Sequence, residues 1–340
     1  GAEMKNWRRH LARCSPDHLE DTWAEDAPYV WEQTKALWGE GSRTARIMAL
    51  RFGFTGASPS TAAAIATEVG LKPYRVAEEI QKALQQIPLV ADAEPLDVLY
   101  EDEALLAVAK PPALAVTPRN RNRGGALLNR AVHHLRAVGA GAGGLAPEPH
   151  VVHRLDYNTS GVVIFAKTPA AARRLSADFA AGARVRKAYL ALAAGSGPGG
   201  TAAGSGSGAR GATMVVDAPI GRLDSFRHTV RADGRSATTR LRVLATGPSG
   251  EAAILALPVT GRTHQIRVHA AHAGLPLLGD PYYGVLSAAV PRLALHAWRI
   301  RFEHPATGRM VALSCPLPAD MLAAATALGI EVPRALATQT

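Results

Sequence analysis

The spacing of hydrophobic and polar residues changes once along the chain, near residue 95. Before it, apolar residues recur at helical intervals within polar sequence that also carries Trp7, Trp23, Trp31 and Trp38. After it, short apolar runs alternate with polar turns, beginning with "VLYEDEALLAVAK". The pattern predicts a helical module over residues 1–90, a strand-rich domain over residues 95–325 and a C-terminal tail over residues 326–340.

Within the strand-rich part, residues 98–100 and 105–108 predict a β-hairpin, and "GVVIFAK" (161–167) predicts a buried strand. "PAAARRLSADFA" (169–180) predicts an amphipathic helix that begins at a proline. Further strands are predicted at residues 187–195, 238–246 and 251–259. Because strands and helices alternate irregularly, we predict an α+β fold with a mixed, largely antiparallel sheet rather than a doubly wound parallel one.

Residues 195–211, "GSGPGGTAAGSGSGARG", form a glycine-rich linker inside this domain. Gly195, Gly197 and Gly200 match the G-x-G-x-x-G pattern of nucleotide-binding loops. Such a loop needs a helix directly after it, whose N-terminus receives the phosphate. No helical pattern follows, so we do not expect a phosphate-binding loop here.

The charge is uneven: residues 1–95 carry a net charge of −2, and residues 96–340 carry +12. A positive field of that size favours a polyanionic partner, of which nucleic acid is the commonest. No run of eighteen apolar residues predicts a membrane span. Cys14 and Cys315 are the only cysteines, which favours a reducing compartment.

The first residues, "GAEMKNWRRH", lack both an initiator methionine and the apolar core of a secretory signal. Together with the alanine- and glycine-rich linker, this favours an organelle, either chloroplast or mitochondrion, after removal of a transit peptide. A bacterial-type cytoplasm is the alternative.

The stretch "HRLDYNTSG" (153–161) is either a catalytic loop around Asp156 or a polar turn between strands. A protein-kinase loop is excluded, because the order His-Arg-Asp-Leu and the glycine loop are missing. Metal hydrolysis is disfavoured, because His264, His269 and His272 occur without an acidic neighbour. We expect these histidines to form hydrogen bonds in a packed site rather than to bind a metal.

The stretch "GRTHQIRVH" predicts a Gly-Arg-Thr turn and cap ahead of a helix. Arg267 follows His264 by about one helical turn, so both side chains should project from one face. An arginine held against Asp156 would keep that carboxylate ionised, and an ionised carboxylate serves as a nucleophile or a base. From these residues alone, a structural salt bridge is the alternative.

Three stretches together suggest a family. "HRLDYNTSGVVIFAKT", "KAYLALAAG" and "GRTHQIRVHAAHAGLPLLGDPYYG" resemble the sequence hallmarks of RluA-type pseudouridine synthases, and the likeness covers residues 95–321. The resemblance implies an isomerase that converts uridine to pseudouridine in RNA without cofactor or metal. The "GLPLLGDPYYG" part is interpreted as a structural turn under the active site.

The resemblance also implies roles for individual residues. Asp156 matches the catalytic aspartate that attacks the target nucleotide, and Arg267 matches the arginine paired with it. Tyr189 matches the tyrosine that stacks on the target base, and Arg154 matches the arginine that fills the gap left by the flipped nucleotide. We assign RNA binding to Arg154 and to the neighbouring motif residues His153, Arg262 and His264.

Two departures from the family pattern bear on substrate fit. Ala109 and Ala113 stand where the family usually carries asparagine and glycine, and the glycine-rich linker is longer than usual.

Residues 46–87 resemble the helix-turn-helix in region four of bacterial primary sigma factors. The polar and basic residues usual in its reading helix are replaced by Pro73, Tyr74, Ala77 and Glu78, and the first segment is net acidic. We therefore favour docking of protein or RNA over sequence-specific DNA reading.

The sequence thus predicts an RNA pseudouridine synthase that is a monomer when free. Ribosomal RNA of the large subunit is the favoured substrate and transfer RNA the alternative, and residues 1–90 are expected to contact a ribosome precursor or a protein. One competing hypothesis is a ribosome-assembly factor that binds RNA and uses the synthase fold as a scaffold. Another is a transcription factor led by the helix-turn-helix.

Overall fold

The computed structural model describes residues 23–54, 56, 60–118, 123–141, 148–182, 184–195 and 211–333. Internal contacts divide the chain into two compact units. One comprises residues 1–93 and 117–133, and the other comprises residues 94–116 and 134–340. No helix among the described residues combines the length and apolar character needed to cross a bilayer.

The first unit is helical, as predicted. It contains helices α1 (Trp23–Trp38), α2 (Arg43–Phe52), α3 (Ala62–Val69) and α4 (Pro73–Gln86). The Ser42 and Thr61 side chains accept hydrogen bonds from the Ala45 and Ala64 amides and so cap α2 and α3. Gly70, in the left-handed conformation, ends α3 three residues before α4 begins.

Two apolar clusters hold these helices together. Val30, Met48, Phe52, Ala83 and Ile87 form one cluster. Ile47, Ile65, Ala66 and Val76 form the other, in which α2, α3 and α4 meet. The helices predicted within residues 46–87 are therefore present and packed.

The second unit is built on a ten-stranded sheet. Its strands are β1 (Asp97–Glu101), β2 (Leu105–Lys110), β3 (His150–Val151), β4 (Ser160–Ala166), β5 (Arg186–Ala193), β6 (Thr213–Asp217), β9 (Thr238–Thr246), β10 (Ala252–Pro258), β11 (Leu295–Glu303) and β12 (Met310–Ser314). Strands β7 (Ile220–Arg222) and β8 (His228–Val230) form a separate hairpin. The remaining helices are α5 (Leu127–Gly141), α6 (Pro169–Ala181), α7 (Gln265–His272) and α8 (Ala319–Ala327).

The strand order is β1-β2-β4-β11-β5-β10-β9-β6, with β3 paired to β4 and β12 to β11. The β4–β11 pair is parallel and every other pair among the described strands is antiparallel, which confirms the mixed, largely antiparallel sheet. The predicted hairpin, the strand after Asp156, the helix starting at Pro169 and the three later strands are all present. Most of the predicted linker, residues 196–210, lies outside the described residues.

The C-terminal boundary differs from the prediction. Helix α8 continues to Ala327, and Ile330 is buried in a cluster with Met321, Ala324 and Ala325. The first residues of the predicted tail therefore belong to the packed domain, because Ile330 is part of this cluster and Val332 packs against it.

The close approach of β4 to β11 depends on a glycine. Gly161 has φ +117°, and a β-carbon placed there would lie 2.2 Å from the Ala297 carbonyl oxygen. Any other residue at position 161 would force the two strands apart. Gly161 ends the "HRLDYNTSG" loop, so this contact fixes where that loop joins the sheet.

Ala113 occupies a position that favours glycine. Its φ of +57° lies in the left-handed region, where a β-carbon costs about 1 kcal/mol or more. Replacing Ala113 with glycine should therefore raise the free energy of unfolding by roughly 1 kcal/mol, measured by urea denaturation. Ala109→Gly, within β2, should lower it by roughly 0.5–1 kcal/mol. A less stable Ala113→Gly variant would show that this turn is not strained.

Candidate active site

A cleft of about 410 Å³ opens where the β3–β4 loop, α6, β5 and the loop before α7 meet. The seven residues predicted for the site come from three separate parts of the sequence. All of them line this cleft: His153, Arg154, Asp156, Tyr189, Arg262, His264 and Arg267.

Asp156 lies in the β3–β4 loop, and its side chain is 31% exposed to the cleft. The loop is held by cations from elsewhere in the chain. Lys110 is 1% exposed, and its ammonium donates to the carbonyls of Pro111 (2.7 Å), Leu114 (2.8 Å) and Tyr157 (3.0 Å). Arg292 Nη1 donates to the Asn158 carbonyl at 3.3 Å. The two loop residues that directly follow Asp156 are therefore held in place by buried cations.

Arg267 links Asp156 to a second, buried carboxylate. Arg267 Nη1 donates to Asp156 Oδ2 at 3.1 Å, while its Nε and Nη2 donate to the two oxygens of Asp280 at 2.7 Å each. Arg267 is 5% exposed and the Asp280 side chain is fully buried. Because the bidentate pair fixes the guanidinium plane, Arg267 presents its remaining donor to Asp156 in one orientation.

Asp280 belongs to the "GDPYYG" turn, which the sequence marked only as structural. Asp280 Oδ1 accepts the amides of Tyr282 (3.0 Å) and Tyr283 (3.3 Å), and the Arg267 guanidinium lies 4.9 Å from the centre of the Tyr283 ring. Gly279 has φ +70°, and a β-carbon there would lie 1.9 Å from the Arg292 carbonyl. The turn is structural as predicted, and it also supplies the carboxylate that orients Arg267.

The predicted cap ahead of α7 is corrected by the structure. His264, with φ 56°, occupies the N-cap position and makes no side-chain cap hydrogen bond. The buried Gln265 holds the turn instead, because its Oε1 accepts from the Arg262 amide (2.9 Å) and the Thr260 hydroxyl (2.7 Å). Glutamine at the first helical position satisfies the turn from inside the helix, so no threonine cap is needed.

His264 faces Asp156 together with Arg267, as predicted, although it precedes the helix. Its Nε2 lies 3.9 Å from Asp156 Oδ2. The Tyr283 hydroxyl accepts the His228 amide at 2.8 Å and forms a hydrogen bond of 2.8 Å with His264 Nδ1. Burial lowers the pKa of His264 to about 4, so the ring is neutral near pH 7 and Arg267 supplies the positive charge beside Asp156.

Tyr189 stands on β5, half-buried, with an aromatic face available to the cleft. Its register partners on the neighbouring strands are Ala256 on β10 and Ala297 on β11, which are too small to cover the ring. Burial, reinforced by the negative charge of Asp156, raises the pKa of the Tyr189 hydroxyl. The side chain is therefore a neutral aromatic platform next to the carboxylate.

The other cleft residues differ in how firmly they are held. His153 Nε2 accepts the Ile164 amide at 2.9 Å, and the ring stacks on Phe179 at 4.4 Å, so His153 fixes the start of the loop. Arg262 Nε donates to the Ser236 carbonyl at 2.9 Å. Arg154 is exposed. Of the three, Arg154 is the side chain best placed to reach a ligand.

Elsewhere in the motif, His269 forms hydrogen bonds as expected. Its Nε2 donates to the Ala218 carbonyl at 2.9 Å, and its Nδ1 accepts from the Thr239 hydroxyl at 2.9 Å. Across the part of the chain that the structure describes, no group of three or more histidine, cysteine, aspartate or glutamate side chains is arranged to hold a metal ion.

Three buried histidines make the stability depend on pH. Burial lowers the pKa of His153 to about 3 and the pKa values of His264 and His296 to about 4, from 6.5. Each pKa is lower in the folded state, so their stabilisation is complete above pH 6.5 and declines as the pH falls toward 4. The wild-type protein should lose unfolding free energy as the pH falls from 6.5 to 4.5. In His153→Gln we expect this loss to be smaller by roughly 2 kcal/mol. The exposed His272→Gln control should leave that loss unchanged in the same urea titrations.

Together, the sheet and the cleft have the form of an enzyme active site, in which a partly exposed carboxylate contacts an arginine beside an aromatic side chain. Among the described residues that line this cleft, Asp156 is the one carboxylate, because Asp280 is covered by Arg267 and the turn; glycoside hydrolysis requires two.

Comparisons with known proteins identify the family. Residues 104–272 match the family model of RNA pseudouridylate synthases. The chain is 38% identical over 248 residues to ribosomal large subunit pseudouridine synthase D of Nitrosomonas europaea, covering 68% of this chain and 65% of that protein. It is 37% identical over 237 residues to the uncharacterized RNA pseudouridine synthase YjbO of Bacillus subtilis, covering 68% of this chain and 76% of that protein.

A solved structure shows the same fold. Human RNA pseudouridylate synthase domain containing 4 superposes with a TM-score of 0.52 at 24% identity, covering 76% of this chain and 99% of that one. The chain belongs to the RNA pseudouridylate synthase family and is an isomerase that converts uridine to pseudouridine. The resemblance seen in residues 95–321 is therefore confirmed.

Proposed function

We propose that Asp156 is the nucleophile of this isomerase and that its substrate is a uridine in ribosomal RNA of the large subunit. The observation that carries the chemical part is the contact of Asp156 Oδ2 with an Arg267 guanidinium that Asp280 has already fixed. A carboxylate that is oriented by an arginine and partly exposed in a cleft can attack an electrophilic carbon of the target nucleotide. The uracil is then detached from the ribose, turned and rejoined through carbon 5, the bond to Asp156 breaks, and the carbon-5 proton is released to solvent.

The cleft also accommodates the flipped nucleotide. A uracil stacked in an RNA helix is out of reach of Asp156, so it must be extruded, which costs a few kcal/mol. Stacking on the open face of Tyr189 returns about 1–3 kcal/mol of this cost. Arg154, exposed at the cleft, fills the vacated stack and binds phosphate with the same planar group.

Two observations support ribosomal RNA as the substrate. Similar proteins from Nitrosomonas europaea and Pseudomonas aeruginosa are named ribosomal large subunit pseudouridine synthase D. The net charge of +12 over residues 96–340 attracts an RNA backbone over a long range. Transfer RNA is the alternative substrate, and the free enzyme acts as a monomer.

The helical unit, in this proposal, docks onto the ribosome precursor or a protein bound to it. On α4, Glu78 pairs with Arg75 (3.0 Å) and with Lys82 (2.8 Å), so these basic groups already have a partner. Tyr74 is 59% exposed and stands where a DNA-reading helix usually carries a polar group. A neutralised surface with an exposed aromatic suits docking better than reading base edges.

The test is a map of pseudouridines in ribosomal and transfer RNA from cells that produce either the wild-type chain or Asp156→Ala at equal level. Loss of one site or a few sites in large-subunit RNA supports the proposal and names the uridine. Loss in transfer RNA instead would overturn the substrate assignment. An unchanged map, with slower growth only when the whole gene is deleted, would overturn catalysis in favour of the assembly-factor hypothesis.

A further inference from the structure

Lys187 carries a charge in the cleft that the described part of the chain does not balance. It lines the cleft with Asp156 and Tyr189, yet it forms no ion pair with a carboxylate among the described residues. Burial alone lowers the pKa of this ammonium. A partly desolvated cation without a counter-charge destabilises the free protein, unless a ligand supplies the missing negative charge.

The side chain of Lys187 lies on the cleft side of β5. Lys187 and Tyr189 are two residues apart on β5, so their side chains project from the same face of the sheet. The loop that passes the ammonium contributes Gly261, where a β-carbon would lie 3.5 Å from Lys187 Nζ. The ammonium therefore lies next to the loop that borders the cleft ahead of α7.

We propose that Lys187 forms a phosphate-binding subsite of the cleft, which takes one phosphodiester of the RNA strand next to the flipped uridine. The inference rests on the function proposed above. The uracil and ribose are neutral, so the phosphodiester is the part of the substrate that matches an unpaired ammonium. Asp156 does not fill this role, because its Oδ2 accepts from Arg267 at 3.1 Å.

The subsite complements the base platform. Tyr189 holds the planar base while Lys187, two residues earlier on the same strand, binds the backbone that flanks it. Since both groups stand on one rigid strand, the nucleotide is positioned by two contacts of different chemistry. Lys187 therefore contributes to binding in the ground state and the transition state alike, rather than to the chemical step.

The experiment uses the full chain with Lys187→Met and Lys187→Arg, and Arg301→Met as the matched control. Arg301 is exposed and lies on the adjacent strand β11, directly opposite Arg186 in the strand register. Because Arg186 precedes Lys187 on β5, the Arg301 side chain projects from the opposite face of the sheet to Lys187. Unmodified large-subunit ribosomal RNA, transcribed in vitro, is the probe. Its affinity is measured by filter binding at several salt concentrations in an Asp156→Ala background. Turnover is measured in variants that keep Asp156, by release of tritium from carbon 5 of uridine.

We expect Lys187→Met to weaken RNA binding by about tenfold and to make the slope of log affinity against log salt shallower by about one. Lys187→Arg should restore both values to within about threefold, and Arg301→Met should leave the slope unchanged. KM should rise while kcat changes little, because the lost contact stabilises the bound substrate and the transition state equally. The melting temperature of Lys187→Met should stay the same or increase, because an unpaired charge is removed.

Other outcomes would overturn the subsite. An unchanged affinity and slope in Lys187→Met would do so, as would an equal loss in Arg301→Met. A melting temperature lowered in Lys187→Met and in a Lys187→Gln variant, with unchanged salt slopes, would assign the lysine to the fold instead. Failure of the proposed function is separate: the wild-type chain would then release no tritium from this RNA, whatever its affinity for the RNA.

Discussion

Asp156→Asn should abolish pseudouridine formation while leaving the protein folded. Asparagine keeps the shape of the side chain but cannot act as a nucleophile, so we expect kcat to fall by at least ~10⁴-fold. The Asp156 side chain is partly exposed, so losing its ion pair with Arg267 should lower the unfolding free energy by only about 1 kcal/mol. Tritium release from carbon 5 of uridine, followed over a single turnover, measures the chemical step directly.

The matched control is Asp233→Asn, which removes the same charge from an exposed aspartate paired with Arg231. It should leave kcat unchanged. RNA affinity should be retained in Asp156→Asn, because the base platform and the cations of the cleft remain. If Asp156→Asn kept more than about a hundredth of the wild-type rate, Asp156 would not be the nucleophile.

The second large effect is expected at the buried Arg267–Asp280 pair. Arg267→Leu leaves the fully buried Asp280 carboxylate without its bidentate partner, so the unfolding free energy should fall by about 3–5 kcal/mol. Activity should be lost as well, because Asp156 loses the arginine that orients it. Urea denaturation and the tritium assay measure the two effects independently.

The double variant Arg267→Leu with Asp280→Leu separates stability from chemistry. Replacing both charged partners with apolar ones removes the uncompensated charge, so most of the lost stability should return. Activity should not return. A double variant as unstable as the single one would show that the loss does not come from an uncompensated Asp280 charge.

The sequence was most informative about the residues that lie within the three family motifs. A predicted nucleophile in a turn, an aromatic on a strand and a paired arginine were all found in one cleft. Asp156 and Arg267 are 111 positions apart, so the motifs rather than local spacing brought them together in the prediction. The helix and strand boundaries followed from apolar periodicity and from proline.

What the sequence did not reveal are the residues that act through backbone carbonyls. Lys110 binds three carbonyls and Arg292 binds the Asn158 carbonyl, and such contacts depend on the path of the chain rather than on any side-chain pattern. The role of Asp280 was likewise missed, because glycine and proline beside an aspartate indicate a turn and nothing more. The sequence indicated the left-handed φ of Ala113 only indirectly, because the family usually carries glycine at this position.

The fixed β3–β4 loop has a consequence for how this enzyme chooses its target. With its carbonyls bound to Lys110 and Arg292, the loop has little freedom to reshape itself around an incoming strand. The conformational change on binding must then come from the RNA, which opens locally to place one nucleotide in the cleft. Selection among uridines becomes a property of the substrate's own flexibility: those in loops, bulges or weakly stacked helices reach the carboxylate more readily than those in regular duplex.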